Sequence, residues 1–153
     1  MRVKMLALIV CIGWSGALMA GQTKKVSTPE DLSEQMKKVG PANEAITKAV
    51  PAANYAEVRT QLAIIRQAVA ASENFWVEHK RDDAVKFTKD ALTKIDAFAK
   101  TVEGATPDAA AAASALREVG AACRSCHMTY RDRDEAGKYR IKPGSLGGGG
   151  LHQ

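Results

Sequence analysis

Apolar residues recur along most of this chain at intervals of three and four, the repeat of a helix with one buried face. Four such stripes can be traced. The first runs Leu32, Met36, Val39, Ile46 and Val50, with Asn43 in its one polar slot. The second runs Tyr55, Val58, Leu62, Ile65, Val69, Ser72 and Trp76, and Arg59, Gln61, Arg66 and Gln67 fall off it. The third is Val85, Thr88, Leu92, Ile95, Ala99 and Val102, widened by Phe87, Ala91 and Phe98. The fourth is Ala109, Ala112, Leu116, Val119, Cys123, Cys126 and Tyr130. No stretch alternates with the period of a half-buried strand.

The punctuation between stripes sets the helix ends. Thr28-Pro29-Glu30-Asp31 predicts the first start: Thr caps free N–H groups, Pro is preset for the first helical position, and two acids face the positive end of the dipole. Pro41 has no N–H for the carbonyl of Lys37, so Gly40-Pro41 is expected to bend or briefly break that helix. Pro51 closes it, and Asn54 caps the second. His79-Lys80-Arg81 ends the second helix, Asp82 or Asp83 is expected to cap the third, and Gly104 ends it. Thr106-Pro107-Asp108 repeats the opening pattern of the first helix. Four amphipathic helices on short connections predict an all-α protein, an antiparallel up-and-down four-helix bundle.

The two ends of the chain read differently. Arg2 and Lys4 precede an uncharged apolar run over residues 5–20, the form of a secretory signal with cleavage expected after Ala20 or, alternatively, after Ala17. The run is short for a retained anchor, so no stable membrane span is expected after cleavage. Cys11 lies inside the run behind Val10, where a lipoprotein signal wants a small residue. Residues 21–27 are expected as a frayed lead-in to a domain over 21–131. From Asp132 the helical pattern fades into Lys142-Pro143-Gly144-Ser145 and the glycines of 147–150, so 132–153 reads as a flexible Gly-rich tail.

Composition narrows the chemistry. The chain's 153 residues suffice for one core. Its 22 basic and 17 acidic residues give +5, and loss of Arg2 and Lys4 leaves +3, too mild to argue for nucleic acid. Loss of Cys11 leaves Cys123 and Cys126 alone, so no disulfide framework is available.

Those two belong to Cys123-Arg124-Ser125-Cys126-His127, two thiols separated by two residues and followed at once by an imidazole. That is the attachment signature of c-type haem, with a thioether at each cysteine and His127 as the proximal iron ligand. On a helix, positions i, i+3 and i+4 share one face, so all three side chains can meet one flat object. The rival readings lack parts. Zinc wants four ligands and only His79 and His152 remain, while a thioredoxin-like pair wants a preceding strand where this chain has an alanine-rich helix. Both cysteines fall in the stripe, so the haem is expected inside the bundle.

The motif on the last helix, with Val119-Gly120-Ala121-Ala122 before it and Tyr130-Arg131 after it, resembles the class II c-type cytochromes. Gln35-Met36-Lys37-Lys38-Val39-Gly40 is similar to their low-spin, methionine-ligated branch. The resemblance implies a periplasmic electron carrier, not an enzyme, holding one haem c between His127 and Met36 and serving redox partner proteins, with a possible homodimer. Met36 is also the one methionine beyond residue 20 able to reach the far face, because Met128 adjoins His127. Were Met36 only packing, the iron would be five-coordinate and would bind nitric oxide or carbon monoxide. His79 is a rival sixth ligand, and a haem-free bundle with an incidental motif is a third reading. Arg131 is expected either at a haem propionate or the proximal face, or in solvent; Arg124 is expected exposed; Phe75 and Trp76 either pack on the porphyrin or are aromatic core.

Overall fold

Thr28 starts the first helix by a reciprocal pair of bonds: its Oγ1 accepts from Asp31 N at 3.1 Å, and the Asp31 carboxylate accepts from Thr28 N at 3.3 Å. In the computed structural model, which describes residues 25–147, α1 (Pro29–Ala49) follows, then α2 (Tyr55–Glu78), α3 (Asp82–Thr101) and α4 (Ala109–Tyr130). Consecutive helices pack side by side on short connections, so the protein is an all-α four-helix bundle of up-and-down connectivity. The expected signal segment, residues 1–20, lies outside the described residues, as do 21–24 and 148–153. No helix among the described residues is long and apolar enough to cross a membrane.

Several local expectations are corrected. α1 runs through Gly40 and Pro41 without a break. Both are exposed, so the lost bond faces water, and the buried neighbours Ala42 and Ile46 hold the helix to the core. Neither Asp82 nor Asp83 caps α3; Arg81 is the N-cap without a side-chain bond, and both acids lie in the first turn. α4 is capped by Asp108, whose Oδ1 accepts from Ala111 N at 2.8 Å, and Thr106 lies outside the helix. The carboxylate is the stronger acceptor and stands directly before the first helical residue. Asn54 caps α2 as its sequence predicts, through Glu57 N at 3.2 Å.

The buried faces are also turned slightly from the expected stripes. Asn43 is exposed and Ala42 takes the inward slot, four and seven residues before the buried Ile46 and Ala49 on the same face of α1. On α3 the centre of the face is Ala84, Thr88, Ala91, Ile95 and Phe98, and Val85, Leu92 and Ala99 form its flank. The buried hydroxyls of Ser72 and Thr88 are satisfied by the carbonyls of Val69 at 2.6 Å and Ala84 at 2.9 Å.

The core divides into two clusters along the bundle. The larger, around Ile46, Leu62, Ile65, Ile95, Phe98 and Val119, occupies the half where α1 ends and α4 begins. The smaller gathers Val26, Leu32, Phe75, Trp76, Ala84 and Tyr130 where α1 begins and α4 ends. Val26 is 2% exposed, and its carbonyl accepts from Asn74 Nδ2 at 3.1 Å, so residues 25–27 are docked and not frayed.

The flexible tail expected from residue 132 is ordered over its first part. β1 (Arg131–Arg133) pairs antiparallel with β2 (Tyr139–Ile141), with Asp132 opposite Arg140 and Gly137 at φ 77° in the turn. β2 packs on α1, and Ile141 and Leu146 rest on the smaller cluster. Strands of three residues, largely charged, leave no alternation long enough to recognise in sequence.

Candidate functional site

The motif occupies the last turns of α4, where the two core clusters meet. Cys123 packs against the larger and Cys126 against the smaller, and both thiols are free and half-buried. His127 is half-buried beside them, whereas Arg124 is exposed and Met128 is 68% exposed. The helix therefore separates the residues of the motif as its period dictates: positions 123, 126 and 127 lie toward the bundle and 124, 125 and 128 toward water.

Burial fixes the protonation of these groups. It raises the Cys123 thiol above its ordinary range and pushes Cys126 up to about 11, with smaller contributions from Cys123 and the carboxylate of Asp83. It lowers His127, and the nearby Arg131 charge lowers it further. At neutral pH the site presents two protonated thiols and a neutral imidazole. A neutral imidazole is the ligand form of histidine.

Across the bundle, Met36 on α1 is half-buried and packs against the cluster that Cys126 also touches. Its thioether is the one soft donor of α1 on that cluster. Cys123, Cys126 and His127 on α4 and Met36 on α1 are the side chains that could hold a haem c, two thiols for covalent attachment and an imidazole and a thioether for the iron, beside the apolar side chains of the smaller cluster. Among the described residues, no three His, Cys, Asp or Glu side chains converge as a metal-binding group.

The remaining candidates have definite places. His79 is the C-cap of α2; its ring lies 4.2 Å from that of Phe75, and its Nδ1 is 2.8 Å from the Phe75 carbonyl. Phe75 and Trp76 are buried and meet edge to face at 4.9 Å, and Trp76 lies 4.7 Å from Tyr130. Arg131 stacks 4.4 Å over the ring of Tyr139, which Arg133 also covers at 4.1 Å.

Sequence reasoning missed the groups that hold the end of α4. Tyr130 is buried, and its hydroxyl donates to Asp83 Oδ2 at 2.5 Å and accepts from Arg81 Nε at 2.9 Å. Antiparallel connectivity sets the start of the third helix beside the end of the fourth, which was the available signal for the Tyr130 to Asp83 pairing. Nothing in the sequence pointed to Tyr139 as the partner of Arg131.

Comparison with family models, with curated proteins and with solved structures returns no match to this chain. The functional reading rests on the residues themselves.

Proposed function

We propose that this protein is an exported, periplasmic c-type cytochrome of the class II kind, carrying electrons with one covalently bound haem. Cys123 and Cys126 would form the thioethers, His127 would bind the iron on the proximal side and Met36 on the distal side. The observation that carries the reading is the shared inward side of Cys123, Cys126 and His127 on α4, with Met36 on α1 packed against the cluster that Cys126 touches.

Bound haem supplies reversible one-electron chemistry, and the protein's own residues decide how it is used. A neutral imidazole and a thioether add no net charge, and two protein ligands leave no open position for substrate. Apolar side chains of the smaller cluster, Leu32, Phe75 and Trp76 among them, exclude water from that side. The arrangement suits outer-sphere transfer to redox partner proteins and not bond-making catalysis.

Expression of the full chain with a cytochrome maturation apparatus tests the reading. A pyridine haemochrome spectrum should report one c-type haem per chain, and Cys123→Ala together with Cys126→Ala should abolish covalent attachment. Carbon monoxide added to the reduced protein should shift the Soret band little in wild type and strongly in Met36→Ala. A colourless matured protein defeats the proposal. A wild-type shift as large as that of Met36→Ala would instead support a five-coordinate protein that binds nitric oxide or carbon monoxide.

A further inference from the structure

Met36 lies in the first half of α1, a helix whose backbone keeps closer to α2 than to α4. Among the described residues, α1 packs along α2 and against β2, and its approach to α4 is slight beside these. Besides the smaller cluster, to which Tyr130 and Cys126 of α4 also belong, the Met36 region is linked to the motif end of α4 through the chain that follows the motif. β1 continues directly from Tyr130, and Lys142 N donates back to the Tyr130 carbonyl at 2.8 Å, which fixes the hairpin to α4 at both of its ends. A turn then returns the chain: Ser145 N and Oγ bond the Lys142 carbonyl at 3.1 Å and 2.7 Å, and Gly144 adopts φ 76°. Ile141 and Leu146 are thereby set on the cluster that holds Leu32 and Met36, beside Pro29 in the first turn of α1.

We propose that the C-terminal hairpin is the positioning element for the sulfur ligand: Ile141 and Leu146 hold the first half of α1, and Met36 with it, at ligating distance from the motif helix. The inference rests on the haem reading above. A thioether is a neutral ligand on a side chain with three rotatable bonds, so its hold depends on the backbone that carries it more than on its own stiffness. Apolar contacts at Ile141 and Leu146 supply that hold from the α4 side, and their loss frees α1 to move outward while α2 still carries it. The two side chains act on the metal only through Met36, which makes them positioning residues.

The test uses the full chain matured with haem, and compares wild type, Ile141→Ser with Leu146→Ser, and the conservative pair Ile141→Val with Leu146→Met. Haem content by pyridine haemochrome should be equal in all three, because attachment runs through the cysteines. In the serine pair the far-red sulfur-to-iron absorption of the oxidised protein should fall, and the apparent affinity of the reduced protein for carbon monoxide should rise at least about tenfold as the competing ligand loosens. The conservative pair should behave as wild type. In a Met36→Ala background the serine pair should add nothing, since the ligand it positions is gone. If the serine pair does not fold, Leu146→Ala alone carries the same expectations at reduced size. Wild-type absorption and carbon monoxide affinity in a folded serine variant would overturn the proposal while leaving the haem reading intact. So would an equal rise in the Met36→Ala background. Absence of haem from wild type would remove the reading beneath it.

Discussion

The hydroxyl of Tyr130, the last residue of α4, donates to the carboxylate of Asp83 in the first turn of α3 at 2.5 Å. The bond ties the motif-bearing end of one helix to the start of its neighbour, four residues beyond Cys126. Asp83 would otherwise be an ordinary exposed acid. Its carboxyl is held below the usual carboxylate range first by that hydroxyl, with the Ala84 N–H and Arg81 charge adding to it.

This pairing predicts a pH dependence. A carboxylate whose pKa is lowered by folding stabilises the fold fully above its unfolded value, about 3.9, and loses that contribution as pH falls through the lower folded value. Asp83→Asn should therefore cost stability relative to wild type at pH 7, and the gap should close below about pH 4. Tyr130→Phe should cost about 1 kcal/mol, since Asp83 and Arg81 are accessible enough for water to replace the lost partner. Denaturant titrations of the three proteins across pH 3–7 check both expectations; a pH-independent gap for Asp83→Asn would refute the pairing.

Helix caps give a second prediction, because the structure moved the start of α4. Asp108→Ala should destabilise by about 1 kcal/mol and Thr106→Ala by almost nothing. Equal losses in urea unfolding would return the cap to Thr106.

The unbroken α1 gives a third. Pro41 is exposed within the helix, where its missing N–H leaves one carbonyl without a helical partner. Pro41→Ala should stabilise the protein by about 1–3 kcal/mol, less than the full interior penalty because water reaches the site. Gly40→Ala should add about 0.5–1 kcal/mol, since a Cβ there meets open space. A loss of stability from either change would mean that a bend at this point is required.

The turned face of α3 gives a fourth. Phe98 is fully buried in the larger cluster, and Phe87 only flanks the smaller. Phe98→Ala should cost about 3–5 kcal/mol and Phe87→Ala clearly less. Thermal unfolding of the two variants decides it, and equal costs would restore the symmetric face that the sequence suggests.

How far the sequence reached follows from where the information is local. Apolar periodicity located all four helices, and side-chain caps at Thr28 and Asn54 were legible because a cap is an interaction between residues three apart. The inward placement of Cys123, Cys126 and His127 followed from their spacing, which a helix converts directly into a common side. Pairings between distant segments carry no such signature. The Tyr130 hydroxyl finds Asp83 across 47 residues, Asn74 finds Val26 across 48, and the charged segment after Arg131 becomes a hairpin because α1 offers Ile141 and Leu146 an apolar seat. The chain by itself determined its helices and the common side of Cys123, Cys126 and His127 on the last of them, since both depend on neighbours within a turn or two. Only the tertiary structure decided which side chains brace the end of α4 and where the C-terminal segment lies, because each depends on surfaces that exist only after the helices have packed.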